Sequence, residues 1–210
     1  MMDSLIFDVD GTIWDTTPIV AKAWNAALDE CGLSYAHVDA KRLKGLFGLP
    51  MDDIIADILP HEPQDIRDRF KVLCYENEHL YLDREPGLLY PEIQDVFRRL
   101  SEKFPLFIVS NCQSGYIELL LKKTGMGPYV KDFACYGDKG LLKAANIKLI
   151  VEKHGLKNPY YVGDTQMDAN ACIEAGVPII YASYGFGKVE KPDAVIGKPA
   201  DLLDLAKSDK

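Results

Sequence analysis

Short runs of apolar, β-branched residues alternate with longer segments of helical periodicity along much of the chain. Small or polar residues follow each apolar run before the helical period begins, a pattern typical of α/β folds built on a parallel sheet. The pattern predicts strands at residues 5–8, 106–110, 133–136, 160–163, 179–182 and 194–196. It predicts helices at residues 91–103, 115–124, 144–154, 168–175 and 200–207. The predicted fold class is α/β, with a Rossmann-like parallel-sheet core.

One long segment interrupts this alternation. Between residues 18 and 84 the apolar positions recur with helical spacing, and no convincing strand is present. The turn-rich segment REPGLLYPE, residues 84–92, marks the return to the sheet. We therefore predict an α/β core domain made of residues 1–17 and 85–210, with an all-helical cap domain of residues 18–84 inserted into it.

Composition narrows the class of protein. The 210 residues include 32 acids and 24 Lys and Arg, a formal net charge of −8. This balance disfavours broad binding to nucleic acids or anionic membranes, but it leaves room for one small anionic ligand. The five cysteines are scattered, odd in number and without a CxxC pair, and the first residues do not resemble a secretory signal. We expect a cytoplasmic protein with neither a nucleic-acid nor a membrane partner.

Carboxylates cluster at the ends of two predicted strands. Asp8 and Asp10 end the first strand just before Gly11, and ligands of α/β sheets bind at the carboxyl ends of strands. Two adjacent acids are unfavourable without a counter-charge, and a hard divalent cation would supply one; two turn acids are the alternative. Asp164 and Asp168 follow a later strand, and Asp168 has an alternative role in capping the next helix.

Two further segments contribute polar groups. The strand at 106–110 ends in Ser110 and Asn111, which suit phosphate oxygens but are also common in turns. Lys143 precedes a helical period, where the helix dipole disfavours a cation. Its position indicates that another charge holds it there, with a solvated surface lysine as the alternative.

These segments, in the order DxDGT (8–12), Ser110-Asn111, Lys143 and GDxxxD (163–168), resemble the four motifs of the haloacid dehalogenase superfamily, in its phosphatase branch. The helical insertion between the first two motifs is similar to the cap of the phosphoglycolate phosphatase and β-phosphoglucomutase branch. The resemblance implies magnesium-dependent hydrolysis of a small phosphate monoester. A phosphomutase of the same superfamily, or a non-catalytic phospho-accepting receiver module, is the alternative.

The resemblance also implies residue roles. Asp8 would attack phosphorus and form an aspartyl-phosphate, and Asp10 would protonate the leaving alcohol and later activate water. Mg²⁺ would be held by the Asp8 carboxylate, the backbone carbonyl of Asp10 and Asp164. The remaining implied roles are phosphate binding by Ser110, Asn111 and Lys143, and support by Thr12 and Asp168.

Three assignments stay open at this point. Ala144 follows Lys143 where many relatives have proline, so Lys148 is a second candidate for the motif lysine. Residues 44–50 form either a cap loop that directs Lys44 or Arg42 toward a second anionic group, or an ordinary turn between helices. The glycine-rich residues 184–188 are predicted to form a mobile loop at the mouth of the site.

Overall fold

The computed structural model describes residues 2–208, and a six-stranded parallel sheet forms its centre. Numbered along the chain, the strands are β1 (Ser4–Phe7), β2 (Trp14–Asp15), β3 (Leu88–Leu89), β4 (Leu106–Ser110), β5 (Val130–Cys135), β6 (Pro159–Gly163), β7 (Ile179–Ala182) and β8 (Ala194–Ile196). The large sheet has the order β5-β4-β1-β6-β7-β8, whereas β2 and β3 pair separately and antiparallel. The predicted fold class is confirmed.

Ten α-helices lie within the described residues. They are α1 (Thr17–Glu30), α2 (Ala40–Leu46), α3 (Met51–Ile58), α4 (Gln64–Arg84), α5 (Ile93–Ser101), α6 (Tyr116–Thr124), α7 (Tyr136–Lys139), α8 (Lys143–His154), α9 (Gln166–Ala175) and α10 (Leu202–Ser208). Two 3₁₀ turns, at Gly127–Tyr129 and Pro199–Asp201, complete the helical segments. Within residues 2–208, no helix combines the length and apolarity that crossing a bilayer requires.

Both faces of the sheet are buried, which explains why its strands are continuously apolar. Successive side chains of a strand point to opposite faces. Accordingly, Leu5 and Phe7 of β1 join one hydrophobic core, while Ile6 joins a second core with Phe107 and Val109 of β4. Helices α8 and α9 pack on each other, and α8 also contacts β4 and β5, whereas α5 packs against β4 and α10. The central strands are therefore rigidly held from both sides.

Helices α1–α4 follow one another between β2 and β3, and we call these four helices the helical insertion. The chain leaves and re-enters through adjacent strands, because Trp14 pairs with Leu89 and Asp15 with Leu88. Within the insertion, α4 packs on α1 and α3. The buried stripe of α4 recurs every four residues, at Phe70, Cys74, Glu78 and Leu82.

Several element boundaries differ from the prediction. Residue 136 was predicted as strand but begins α7, and β5 starts earlier, at Val130. Helix α9 begins at Gln166, two residues before the predicted start, because Thr165 caps it by accepting a hydrogen bond from the backbone of Asp168. The pair β2–β3 was missed because two-residue strands are too short to show a period of two.

Candidate active site

The predicted acidic and polar residues converge at one edge of the sheet. Strands β4, β1 and β6 are neighbours and parallel, so their carboxyl ends lie side by side. Asp8 follows β1, Ser110 ends β4, and Asp164 follows β6. The backbone N–H of Asp8 continues the ladder by donating to Val162 at 2.9 Å. Residues more than 150 positions apart in the sequence thereby share one site.

Lys143 is buried between two carboxylates of this site. Its Nζ lies 3.0 Å from Asp8 Oδ1 and is hydrogen bonded to Asp168 Oδ1. Burial lowers the pKa of Lys143, but the charges of Asp168 and Asp8 outweigh it and raise this pKa above its ordinary value. Lys148, by contrast, is 46% exposed and 3.7 Å from Glu174. Lys143, and not Lys148, lies at the site.

Asp164 is held by the loops around it. Its Oδ2 accepts a hydrogen bond from the backbone N–H of Phe186 at 2.7 Å, and Thr12 Oγ1 lies 3.4 Å from its Oδ1. Burial, followed by the charges of Asp168 and Asp8, raises the pKa of Asp164 to about 8. Gly11 has a φ of +81°, and a Cβ there would stand 2.1 Å from Asp164 Oδ2. Only glycine allows the turn after the first motif to approach this carboxylate.

Asp168 combines the two roles that were proposed for it. Its Oδ2 accepts hydrogen bonds from the backbone N–H of Thr165 at 2.9 Å and from Thr165 Oγ1 at 2.7 Å, which caps α9. The same oxygen accepts from the backbone N–H of Asp164 at 3.2 Å, while Oδ1 binds Lys143. Protein donors therefore occupy both oxygens, so Asp168 positions Lys143 and the loop that carries Asp164.

Asp10 lies beside Asp8 but faces different partners. Its Oδ1 accepts hydrogen bonds from Thr16 Oγ1 at 2.7 Å and from the Tyr116 hydroxyl at 2.9 Å. Removal from bulk solvent is the largest cause that raises the pKa of Asp10, to about 8, and the hydrogen bonds from Thr16 and Tyr116 oppose it. A carboxyl with this pKa holds a proton near neutral pH, as a general acid requires.

The acidic residues suit a hard divalent cation. Asp8, Asp164 and Asp168 are buried and each offers one oxygen, with the three atoms within 4.8 Å of one another. Within residues 2–208, Lys143 is the one cation paired with them, and Asp8 Oδ1 accepts no well-aligned hydrogen bond despite the nearby ammonium. The three carboxylates thus carry more negative charge than the lysine balances, and carboxylate oxygens are the ligands that Mg²⁺ prefers. The side chain of Asp10 is outside this group; the resemblance had assigned its backbone carbonyl to the ion.

A narrow cavity of about 60 Å³ lies between the sheet edge and the helical insertion. Asp8, Asp10 and Ser110 line its floor. Glu78 lines the opposite side, where it accepts hydrogen bonds from Trp24 Nε1 at 2.9 Å and from Gln113 Nε2 at 2.8 Å. Burial raises the pKa of Glu78 to about 7, against the effect of these two hydrogen bonds.

Three residues that were candidates for contact with phosphate or a second anion take other partners. Asn111 Nδ2 donates to the carbonyl of Gly48 at 2.8 Å, so this amide joins the sheet edge to the helical insertion. Arg42 Nη2 binds Asp57 at 2.8 Å, on an exposed part of the insertion. Lys44 Nζ binds Asp15 at 2.6 Å. Of the two alternatives for residues 44–50, these pairs favour an ordinary turn between helices, because nearby acids already pair with both Arg42 and Lys44.

The glycine-rich loop at 184–188 closes one side of the site. Besides the contact of Phe186 with Asp164, Tyr184 donates from its hydroxyl to the carbonyl of Thr12 at 3.0 Å. Lys44 Nζ lies 5.1 Å from the centre of the Phe186 ring, so this loop also meets the helical insertion. Its predicted place at the mouth of the site agrees with these contacts.

Sequence reasoning missed Thr16, Tyr116 and Glu78. A signal for Glu78 was available: it occupies a position of α4 where the residues four before and four after it, Cys74 and Leu82, are buried and apolar. A lone acid on the apolar face of a helix marks a polar partner or a ligand. Thr16 and Tyr116 are a hundred residues apart, and nothing in the local pattern connects them with Asp10.

Comparison with known proteins now defines the class. Residues 5–182 match the family model described as haloacid dehalogenase-like hydrolase. The match covers most of the chain and all four motifs, so the chain belongs to the haloacid dehalogenase-like hydrolases. The resemblance drawn from the sequence is confirmed, and the non-catalytic receiver module does not fit a family of hydrolases.

Individual relatives are consistent with this membership. A phosphoglycolate phosphatase of Vibrio parahaemolyticus is 25% identical over 219 residues, covering 96% of this chain and 94% of that protein. One from Aquifex aeolicus is 26% identical and covers 97% and 96%. The structure of a predicted phosphoglycolate phosphatase from Haemophilus somnus superposes with a TM-score of 0.85 at 21% identity, covering 98% of both chains. A haloacid dehalogenase-like hydrolase from Streptococcus pneumoniae gives 0.86 at 22%, with the same coverage.

Proposed function

We propose that this hydrolase is a magnesium-dependent phosphatase that cleaves a small phosphate monoester through a phosphoryl group carried on Asp8. The observation that carries the proposal is the pairing of two unlike carboxyls at one strand end. Burial raises the pKa of both carboxyls, but the ammonium of Lys143 opposes the rise at Asp8, where the pKa is about 6, whereas that of Asp10 is about 8. Environments that separate two carboxyls in this way assign one as nucleophile and the other as acid.

In the first proposed step, an oxygen of Asp8 forms a bond to phosphorus and the bond from phosphorus to the leaving oxygen breaks. Asp10 gives its proton to that oxygen, so the product departs as a neutral alcohol. Lys143, which contacts Asp8, and Ser110, which lines the cavity, would bind the phosphoryl oxygens. A fixed ammonium stabilises the charge that spreads over those oxygens in the transition state.

In the second step, Asp10 acts as a base. It takes a proton from a water molecule whose oxygen bonds to phosphorus, and the bond between phosphorus and Asp8 breaks. Inorganic phosphate and the original carboxylate result, and Asp10 again carries the proton that it had before the first step. Thr16 and Tyr116 hold the Asp10 carboxyl in place through both transfers.

Asp8 and Asp164 would hold Mg²⁺, together with the backbone carbonyl of Asp10, and Asp168 and Thr12 would support them. When bound, the ion supplies positive charge against the phosphate and the acids. We assign Asn111 to joining the insertion with the sheet edge, because the carbonyl of Gly48 occupies its amide.

We further propose that residues 18–84 act as a cap domain on a core of residues 1–17 and 85–210. The helical insertion covers the cavity, with Trp24 and Glu78 opposite Asp8 and Asp10. Closing a site in this way excludes water and selects the leaving group. The five free cysteines suit a reducing compartment, which supports a cytoplasmic location.

The test is release of inorganic phosphate from p-nitrophenyl phosphate, with Mg²⁺ or with excess EDTA. We expect turnover only with the metal, loss of turnover in Asp8→Asn, and full turnover in Asp29→Asn, whose side chain is exposed on α1. Turnover in purified, folded Asp8→Asn would remove the nucleophile assignment. Interconversion of sugar phosphates without net phosphate release would favour the phosphomutase.

A further inference from the structure

The cavity wall that meets the leaving group contains an acid and no basic side chain. Among the described residues that line the cavity, none is Lys, Arg or His. Apart from Glu78, the insertion contributes apolar and aromatic surface there, including Trp24, Phe47 and Ile54. A ligand group that reaches this wall therefore meets mainly apolar and aromatic surface, the side chain of Tyr75 and a single carboxyl.

Three lysines of the site and the helical insertion are already paired with acids. Lys143 lies between Asp8 and Asp168. Lys44 binds Asp15 at 2.6 Å, and Lys71, on α4, binds Asp52 at 2.7 Å. Freeing any of these ammonium groups for a ligand would leave a carboxylate without its partner. Among the described residues that line the cavity, and among these three lysines, there is thus no ready counter-charge for an anionic leaving group.

Glu78 is also placed to accept a further hydrogen bond. Each of its two oxygens accepts one hydrogen bond, from Trp24 and from Gln113. Each carboxylate oxygen has two lone pairs, so acceptor capacity remains. A carboxylate on the ligand would bring a second negative group against Glu78 in this enclosed space.

We propose that Glu78 selects substrates whose leaving group ends in a hydrogen-bond donor, a hydroxyl or an ammonium, and rejects those that end in a carboxylate or a second phosphate. The inference rests on the proposed phosphatase function and narrows its substrate class. Phosphoglycolate, the substrate in the names of several relatives, ends in a carboxylate. We therefore expect this chain to act on a different phosphate monoester. Like charges brought together in a desolvated site are strongly disfavoured, whereas a donor gains a charge-assisted hydrogen bond.

The test uses three phosphate monoesters of matched size: ethylene glycol phosphate, phosphoethanolamine and phosphoglycolate. For the protein with Mg²⁺ at pH 8, above the pKa of about 7 of Glu78 so that this acid is mostly ionised, we expect kcat/KM for the first two to exceed that for phosphoglycolate by about 10²-fold. In Glu78→Gln the advantage of the ammonium ester should shrink by about tenfold or more, because one charge is removed. Glu76→Gln, an exposed position on the same helix, is the matched control and should keep the wild-type ratios.

Preference of the wild type for phosphoglycolate would overturn the inference, and so would ratios unchanged by Glu78→Gln. Hydrolysis of p-nitrophenyl phosphate, measured in parallel, distinguishes failure of the phosphatase proposal from failure of the role proposed for Glu78. If that ester is not hydrolysed, the phosphatase proposal fails. If it is hydrolysed while phosphoglycolate is preferred, only the assignment of Glu78 fails. Circular dichroism of Glu78→Gln establishes that the variant is folded.

Discussion

Lys143 is the first residue of α8, where the helix dipole disfavours a cation, and it is nevertheless 3% exposed. The carboxylates of Asp8 and Asp168 explain its position, since they supply two opposite charges at contact distance. The sequence predicted that some charge holds this lysine. The identity of its second partner could not be predicted, because Asp168 had a sufficient explanation as a helix cap.

Replacing Lys143 should therefore destabilise the protein. In Lys143→Ala two buried carboxylates lose their counter-charge, and breaking such a pair typically lowers the free energy of unfolding by about 3–5 kcal/mol. Lys148→Ala, which removes an exposed lysine from the same helix, should change it by less than about 1 kcal/mol. Urea unfolding at pH 7 without metal measures both. Similar losses in the two variants would mean that the buried ammonium does not stabilise the site.

Helix α4 shows what a periodic pattern can and cannot predict. The amphipathic spacing was enough to predict helices throughout residues 18–84. It did not identify Glu78, because reading only the apolar positions passes over an acid that shares their face. The contact of Asn111 with Gly48 is still harder to predict from the sequence, since it joins residues 63 positions apart and depends on how the insertion packs on the sheet.

Glu78 should make the free energy of unfolding depend on pH. Burial raises its pKa from an ordinary value of 4.5 to about 7, so the folded protein keeps this proton over a range where the unfolded chain has lost it. Its contribution to stability is complete below pH 4.5 and disappears as pH rises to 7. At about 1.4 kcal/mol for each tenfold change in proton affinity, the loss is about 3 kcal/mol.

A glutamine at this position does not titrate. The stability of Glu78→Gln relative to wild type should therefore increase between pH 4.5 and pH 8, as measured by urea unfolding without metal. Glu76→Gln should show no such trend, because that side chain is exposed. A difference between Glu78→Gln and wild type that stays constant with pH would contradict the raised pKa assigned to this buried acid.

The sheet brings its acids together across the full length of the chain. The buried apolar strands and the DxDGT and GDxxxD segments were enough to predict the parallel sheet and the edge at which Asp8 and Asp164 meet. That Asp8 and Asp164 are close neighbours could not be predicted from the sequence, because it depends on the strand order β4-β1-β6. The loop that closes over Asp164 with Phe186 likewise follows from tertiary packing and has no fixed motif.

This acidic edge should make folding sensitive to divalent cations. Burial raises the pKa of Asp164 to about 8, so its ionised form is unfavourable without an ion, and Mg²⁺ should raise the melting temperature at pH 8. Asp164→Asn should lose most of this rise, and without metal it should be at least as stable as wild type. Asp29→Asn is the control. An undiminished rise with Mg²⁺ in Asp164→Asn would place the ion elsewhere.

The most direct test asks whether Asp8 carries the phosphoryl group. Asp10→Asn removes the base for the second step and should slow turnover by about 10²–10⁴-fold. The first step is affected less, because p-nitrophenolate is a good leaving group that departs without a proton, so the intermediate accumulates. The variant is mixed with p-nitrophenyl phosphate and Mg²⁺, quenched in acid, digested and examined by mass spectrometry. We predict one added phosphoryl group on the peptide that contains Asp8, and none in the double variant Asp8→Asn, Asp10→Asn. Turnover by the wild type with no such adduct at Asp8, or an adduct at another residue, would contradict the mechanism.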